Sequence, residues 1–133
     1  MRTLVCLFAL ALASPAVFAE TPSDFLAAYA QQAKLESPSY KAPSAQQGQR
    51  FFTAMHGREW SCASCHTSNP AASGKHAVTS KIIEPLAPGA NAARFTREAK
   101  VEKWFKRNCN DVLGRACSAQ EKGDVLAYLM TLK

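Results

Sequence analysis

The chain has 133 residues, with 16 basic and 10 acidic side chains and a formal net charge of +6. A chain of this length forms one small domain with a limited core. No segment after residue 19 approaches the roughly 20 apolar residues that a membrane-spanning helix requires, so we predict no membrane-spanning helix there.

The first 19 residues have the layout of a secretory signal peptide. Arg2 gives a positive start, residues 4–12 form an apolar run, and residues 17–19 provide the small side chains that signal peptidase reads. A buried core helix is the alternative, but the segment has no polar face. We therefore predict a signal peptide at 1–19, cleaved after Ala19, and a periplasmic domain at 20–133. This domain keeps four of the five cysteines and, without Arg2, a net charge of +5.

Two helices are predicted before residue 58. The segment Thr21-Pro22-Ser23-Asp24 is typical of a helix start, with Pro at the first helical position. Residues 35–43 contain two prolines and are predicted to form a linker. Ser44 and Gln47 resemble a capping box, which predicts a second helix that ends near Gly57.

Two more helices are predicted after a long middle segment rich in Pro, Gly, Asn and Ser. This irregular stretch runs from residue 67 until Thr96 opens a third helix, and Ser118 with Glu121 forms a capping box before the last one. No alternating strand pattern and no internal repeat is present. The predicted fold class is therefore all-α. A loop this long is unusual in a compact domain, and wrapping a flat cofactor would explain it.

Cys62-Ala63-Ser64-Cys65-His66 is a C-x-x-C-H sequence, which is typical of c-type haem attachment. Two thiols three residues apart can each add to one vinyl group of the same porphyrin. The adjacent imidazole is then delivered to one axial face of the iron. The motif predicts one covalent haem c per chain, with Cys62 and Cys65 as anchors and His66 as an iron ligand.

Two other interpretations of these cysteines compete with haem attachment. A thioredoxin-like redox pair would require a βαβ context, which the sequence does not indicate. A zinc site formed with Cys109 and Cys117 would require an unusually wide second spacing. An even number of cysteines in an oxidising compartment instead predicts a disulfide between Cys109 and Cys117, which closes a short loop.

The second axial ligand is open at this point. Met130 is more typical of a core or rim position and Met55 of a core position, because each shares an apolar helix face with its neighbours. His76 in the loop-rich middle is a candidate, whereas His56 is too close to a helix end to be placed. Asn108 lies on the apolar face of the third helix, where a buried polar side chain needs a partner.

Several segments resemble the sphaeroides haem protein family, a group of bacterial cytochromes c. The resemblance covers the mature chain from about Gly48 to the end and is weakest between His66 and Lys81. The matching residues are Gly48, Phe52, Pro85-Leu86-Ala87-Pro88, Arg94-Phe95-Thr96, Val101-Glu102-Lys103-Trp104, Arg107-Asn108-Cys109-Asn110, Gly114-Arg115, Cys117 and Glu121-Lys122.

The resemblance implies a cytochrome c fold of class I. It also implies that Asn108 is the distal ligand of oxidised iron and leaves on reduction, which opens a site for oxygen or nitric oxide. Cys109 and Cys117 correspond to the disulfide of that family. Its usual redox partners are a dihaem cytochrome c and a membrane b-type cytochrome. We therefore expect electron transfer with redox-gated binding of diatomic ligands.

Two other functions stay open. One is a conventional electron carrier whose iron is always six-coordinate, and the other is an enzyme acting on a diatomic substrate. No acid–base constellation supports the enzyme, and no motif supports nucleic-acid binding. The basic residues of the last third form either a solvated helix face or a docking surface for an acidic partner. These residues are Arg94, Arg97, Lys100, Lys103, Lys106, Arg107, Arg115 and Lys122.

Overall fold

A computed structural model describes residues 20–133 of the chain, so the predicted signal peptide lies outside the described residues. The described part is mostly helical, as predicted, and none of its helices is long and apolar enough to cross a membrane. The elements in chain order are α1 (Pro22–Glu36), α2 (Ala45–Thr53), α3 (Ala63–His66), β1 (Gly74–Lys75), β2 (Ile82–Ile83), α4 (Glu98–Leu113) and α5 (Ala119–Leu129).

Three of the four predicted helix starts are confirmed by the hydrogen bonds of their capping residues. The Thr21 side chain accepts from the Asp24 amide, and the Asp24 carboxylate accepts from the Thr21 amide. Ser118 and Glu121 form the same reciprocal pair at the start of α5. The side chain of Ser44 caps α2 by accepting from the amide of Gln47. Each cap satisfies backbone donors that the first helical turn leaves free.

Two predicted boundaries are wrong. The second helix ends at Thr53, because Ala54 adopts an extended conformation with ψ 146°. The third begins at Glu98 rather than Thr96, because Arg97 is extended at its N-cap. Met55 therefore lies outside any helix and is 57% exposed, so the expectation of a core position is also wrong.

The loop-rich middle contains a short antiparallel strand pair that the sequence analysis did not predict. Gly74 pairs with Ile83, and Lys75 pairs with Ile82. Strands of two residues are too short to show the alternation of apolar and polar side chains by which strands are recognised. The pair holds the segment after α3 against that helix.

Helix α5 is the centre of the packing, since both α1 and α2 lie against it. Its crossing with α2 is close at Gly48, where a Cβ atom would overlap the backbone carbonyl of Asp124. Burying apolar area in this small domain is the main favourable term in its folding. The buried core consists of Phe25, Tyr29, Phe52, Phe95, Val101, Val125, Leu126, Tyr128 and Leu129.

A buried carboxylate links α5 to the start of α2. Asp124 is only 9% exposed, and its Oδ1 accepts from the backbone amide of Ser44 at 2.7 Å and from Gln120 Nε2 at 3.0 Å. We expect Asp124→Ala to lower the free energy of unfolding by about 1–3 kcal/mol, because the Ser44 amide loses its acceptor. Urea unfolding followed by circular dichroism measures this loss. Asp111→Ala, at an exposed position of α4, should change stability by less than about 0.5 kcal/mol.

Candidate functional site

The short helix α3 carries the C-x-x-C-H residues and is positioned by its neighbours in the fold. Cys62 stands at its N-cap, and His66 is its last residue. The ring of Phe52, from the buried face of α2, lies 6.2 Å from the His66 ring between centroids. On the other side, β1 approaches so closely that a Cβ on Gly74 would overlap the Cys65 carbonyl oxygen. The two thiols and the imidazole are thus held on one helical turn.

The imidazole of His66 is neutral and has free ring nitrogens. Burial, with a smaller contribution from the positive charge of Arg94, lowers the pKa of His66 to about 4. The charged form is therefore disfavoured near neutral pH. Neither ring nitrogen has a hydrogen-bond partner within residues 20–133. A neutral imidazole with an accessible lone pair is the form that binds a metal ion.

The backbone directly after this imidazole is strained. Thr67 has φ 62° and ψ 169°, a region that is nearly restricted to glycine. Its hydroxyl donates to the carbonyl of Asn69 at 2.8 Å, and the Asn69 amide donates back to this hydroxyl at 3.1 Å. These bonds hold the turn that ends α3 at His66. Strained residues of this kind cluster at functional sites.

Cys62 and Cys65 are both free thiols. Burial is the main cause that raises the pKa of the Cys62 thiol to about 11. The thiol of a thioredoxin-like redox pair has a lowered pKa, so this environment argues against that interpretation. Cys65 Sγ accepts from the backbone amide of Ala77 at 3.3 Å. The two thiols are therefore not joined to each other and have different surroundings.

The second pair, Cys109 and Cys117, is joined in a disulfide with a Cα–Cα distance of 5.6 Å. These two sulfurs are therefore not available to complete a zinc site with Cys62 and Cys65. Among residues 20–133, no group of three or more His, Cys, Asp or Glu side chains is placed to hold a metal ion. The zinc interpretation therefore has no support in the structure.

Asn108 lies on α4, next to the disulfide. At about 100° per residue, it falls on the same side of the helix as the buried Val101 and Val112. Its side chain is only partly buried, and its amide has no side-chain hydrogen bond within the described chain. The disulfide at Cys109 limits how far this part of α4 can move. An accessible amide on a tethered helix is therefore available as a weak donor.

The other candidate ligands are occupied or exposed. His76 Nδ1 accepts from the backbone amides of Val78 and Thr79, both at 3.2 Å, which places the proton of the neutral ring on Nε2. His56 Nε2 donates to the Phe51 carbonyl at 2.8 Å, which leaves its Nδ1 lone pair unused. Met130 stands at the C-cap of α5 and is 38% exposed, at the rim of the core. His66 is the one histidine of residues 20–133 with neither nitrogen bonded.

Arg94 is a site residue that sequence reasoning missed, since it was grouped with the surface cations. Its Nε donates to the Pro85 carbonyl at 2.8 Å, and its Nη2 donates to the Glu84 carbonyl at 2.7 Å. The guanidinium is therefore fixed, and its charge contributes to the lowered pKa of His66. The match at Arg94-Phe95-Thr96 was the only signal in the sequence that marked it.

The donor set fits a covalently attached haem. Two free thiols with two residues between them precede a neutral imidazole that has no hydrogen-bond partner in residues 20–133. This is the arrangement that porphyrin attachment requires. Helix α4 contacts the core through Val101 and Phe105, and the disulfide ties Cys109 to the loop before α5, whereas α1 and α2 pack closely against α5. The residues that would bind the group are therefore grouped on α3 and α4, outside the tightly packed helices.

Two solved structures share the architecture of this chain. Oxidised cytochrome c'' from Methylophilus methylotrophus has a TM-score of 0.74 and 45% identity, covering 84% of this chain and 94% of its own. Oxidised SHP, described as an oxygen-binding cytochrome c, has a TM-score of 0.75 and 37% identity, covering 85% and 98%. The chain therefore has the fold of the all-α cytochromes c.

Sequence comparison gives the family. The family described as "Domain of unknown function (DUF1924)" matches residues 38–129, and the chain belongs to it. Cytochrome c'' from Methylophilus methylotrophus is 42% identical over 98% of this chain and 94% of its own length. Cytochrome c-type protein SHP from Cereibacter sphaeroides is 40% identical over 89% and 90%. The predicted resemblance to the sphaeroides haem protein is thus confirmed as homology.

Proposed function

We propose that the protein is a periplasmic c-type cytochrome with one haem, which transfers electrons and binds a diatomic ligand, oxygen or nitric oxide, when reduced. The observation that carries this proposal is the arrangement on α3, where two free thiols precede a neutral imidazole with no hydrogen-bond partner in residues 20–133. When bound, haem c supplies a one-electron iron couple and an axial position for a small ligand. It acts as a carrier and binding protein rather than an enzyme.

The residues of α3 anchor and orient the cofactor. Cys62 and Cys65 each provide a sulfur for a thioether bond, and His66 provides a nitrogen to one axial face. Phe52 and the close approach of Gly74 restrict how far α3 can shift. The fixed positive charge of Arg94 opposes a further positive charge at this site, so it favours the reduced state.

Asn108 is the residue that would gate the second axial position. A neutral amide oxygen is a hard and weak donor, so it binds ferric iron better than ferrous iron. The amide has no competing side-chain hydrogen bond in residues 20–133, and the Cys109–Cys117 disulfide keeps its displacement short. SHP is described as oxygen-binding, and a solution structure of cytochrome c'' concerns detachment of a haem ligand. Both descriptions support a gated site in this chain.

A permanently six-coordinate carrier is the rival proposal. It would need a strong second ligand, and the arrangement of the described residues disfavours the candidates. His76 Nδ1 accepts two backbone hydrogen bonds, and Nε2 carries the proton of the neutral ring. Neither nitrogen therefore offers a free lone pair to iron. Met55 and Met130 are exposed at 57% and 38%. The redox partners we propose are a dihaem cytochrome c and a membrane b-type cytochrome.

A visible absorption spectrum of both oxidation states, with and without carbon monoxide, tests this function. We expect a ferrous high-spin spectrum that shifts when carbon monoxide is added, because the amide leaves on reduction. A low-spin ferrous spectrum that carbon monoxide does not change would favour the six-coordinate carrier. A correctly exported protein without Soret absorbance would contradict the cytochrome itself.

The covalent anchors give a separate prediction. In the variant Cys62→Ala/Cys65→Ala, we expect complete loss of covalent haem, because no sulfur remains to form a thioether. Acidified acetone should then extract all haem from the polypeptide, whereas it extracts none from the natural protein. Ser64→Ala, which lies between the two thiols, is the control and should keep its haem through extraction. Haem that stays attached in the double variant would contradict the assignment.

A further inference from the structure

The basic residues of the last third separate into two groups. Three are already occupied: Arg94 donates to backbone carbonyls, Arg115 pairs with Glu121 at 2.7 Å, and Lys122 pairs with Glu102 at 2.6 Å. The other five are exposed and have no carboxylate within 4.0 Å among residues 20–133. These five are Arg97, Lys100, Lys103, Lys106 and Arg107.

Three of these cations share one side of α4. At about 100° per residue, Lys100, Lys103 and Arg107 fall within an arc of about 60° that points away from the buried Val101. We call Lys100, Lys103 and Arg107 the basic face. Asp111, one turn beyond Arg107, is the carboxylate of α4 that lies on the same side.

The two other acidic residues of α4 lie elsewhere on the helix. Glu102 is already paired, since its carboxylate accepts from the Tyr29 hydroxyl at 2.7 Å and from Lys122 Nζ at 2.6 Å. Glu98, in the first turn, lies on the side opposite the basic face. Asp111 is therefore the one acidic residue of α4 beside the three exposed cations of the basic face.

The basic face lies on the same turn of α4 as the residue that we propose as the gate, but on a different side of the helix. Arg107 directly precedes Asn108, and its guanidinium lies 5.7 Å from the centroid of the Trp104 ring, one turn before Asn108. A protein bound on this face would therefore be separated from the Asn108 side chain by the width of one helix, about 10 Å. Unpaired cations beside a redox centre attract an acidic partner and speed its encounter.

We infer that the basic face is the docking site for a redox protein that presents an acidic surface. In the docked pair, one electron passes from the reduced centre of the partner to the haem iron of this chain, so the partner is oxidised by one electron. No bond is formed or broken between the two proteins. The inference rests on the proposed function, since it requires haem, and it assigns electron entry to the helix that carries the gate.

The test compares two variants of equal net charge in the holoprotein. Lys100→Glu/Lys103→Glu reverses the basic face, whereas Lys34→Glu/Lys41→Glu makes the same change on α1 and the linker after it. The probe is a reduced, acidic [2Fe–2S] ferredoxin, and stopped-flow absorbance gives the second-order rate of electron transfer. At about 0.1 M salt the Debye length is about 10 Å, so the rate responds mainly to charges close to the docked ferredoxin.

We expect the basic-face variant to react about tenfold more slowly than the natural protein, and the control variant less than about twofold more slowly. At about 1 M salt, where charges are screened within about 3 Å, the difference should disappear. Equal slowing by both variants would overturn the docking site, because net charge alone would then steer the encounter. Binding of the basic face to phosphatidylserine vesicles, without an effect on the ferredoxin, would also overturn it. A protein without Soret absorbance would instead remove the proposed function.

Discussion

Replacing Asn108 by Ala should make ferric iron high-spin or water-bound and open it to added anions such as azide. The amide competes with an external ligand for the second axial position, so its removal ends that competition. If the natural ferric site is open about 1% of the time, the apparent affinity for azide should rise about 100-fold. Titration of the ferric spectrum with azide measures the change. The ferrous protein, from which the amide has already left, should bind carbon monoxide with nearly unchanged affinity.

Two variants of the same helix distinguish ligation from general loosening. Asn110→Ala removes an exposed amide two residues further on, and it should leave azide binding unchanged. Asn108→His supplies a stronger donor on the same tethered segment, and it should reduce carbon monoxide binding by the ferrous form. The gate is refuted if Asn108→Ala has the ferric spectrum and azide affinity of the natural protein.

Adding one methyl group at Gly48 should unfold the protein at a much lower temperature. In Gly48→Ala, the new Cβ would overlap the carbonyl oxygen of Asp124 on α5, and a backbone atom cannot move aside as a flexible side chain does. Helices α2 and α5 must then separate, which disturbs the packing of Phe52 behind His66. We expect a loss of about 3 kcal/mol or more and a fall in Tm of about 10 °C or more. Thermal unfolding followed at the Soret band and by circular dichroism measures both.

Gly123 provides the matched control, since it is a buried glycine of α5. A Cβ there would meet Pro43 Cγ at 3.5 Å and Tyr29 Cβ at 3.6 Å, which are ordinary contact distances. Alanine is also the better helix former, by about 1 kcal/mol. Gly123→Ala should therefore keep or raise the Tm. A similar fall in both variants would mean that the close crossing at Gly48 is not the cause.

The chemistry and three of the four predicted helix starts were readable from the sequence because they are local. The C-x-x-C-H residues occupy one turn, so their spacing alone defines which groups can reach one porphyrin. The capping pairs Thr21/Asp24 and Ser118/Glu121 are likewise three residues apart. The mostly helical fold follows from the same local signals together with the apolar periodicity of the longer helices.

Which of the remaining polar side chains are free depends on their hydrogen bonds in the folded chain. These bonds leave no recognisable pattern in the sequence. The C-x-x-C-H motif marks His66, but it does not predict that His66 is left unpaired while His76 and His56 bind the backbone. Arg94 turns towards the carbonyls of residues 84 and 85, whereas Lys100 and Arg107 remain in solvent. Sequence by itself thus determined what the chain can attach and where three of its helices begin. Only the tertiary structure decided which donors are free and which charges are exposed, because packing and hydrogen bonding between distant segments set both.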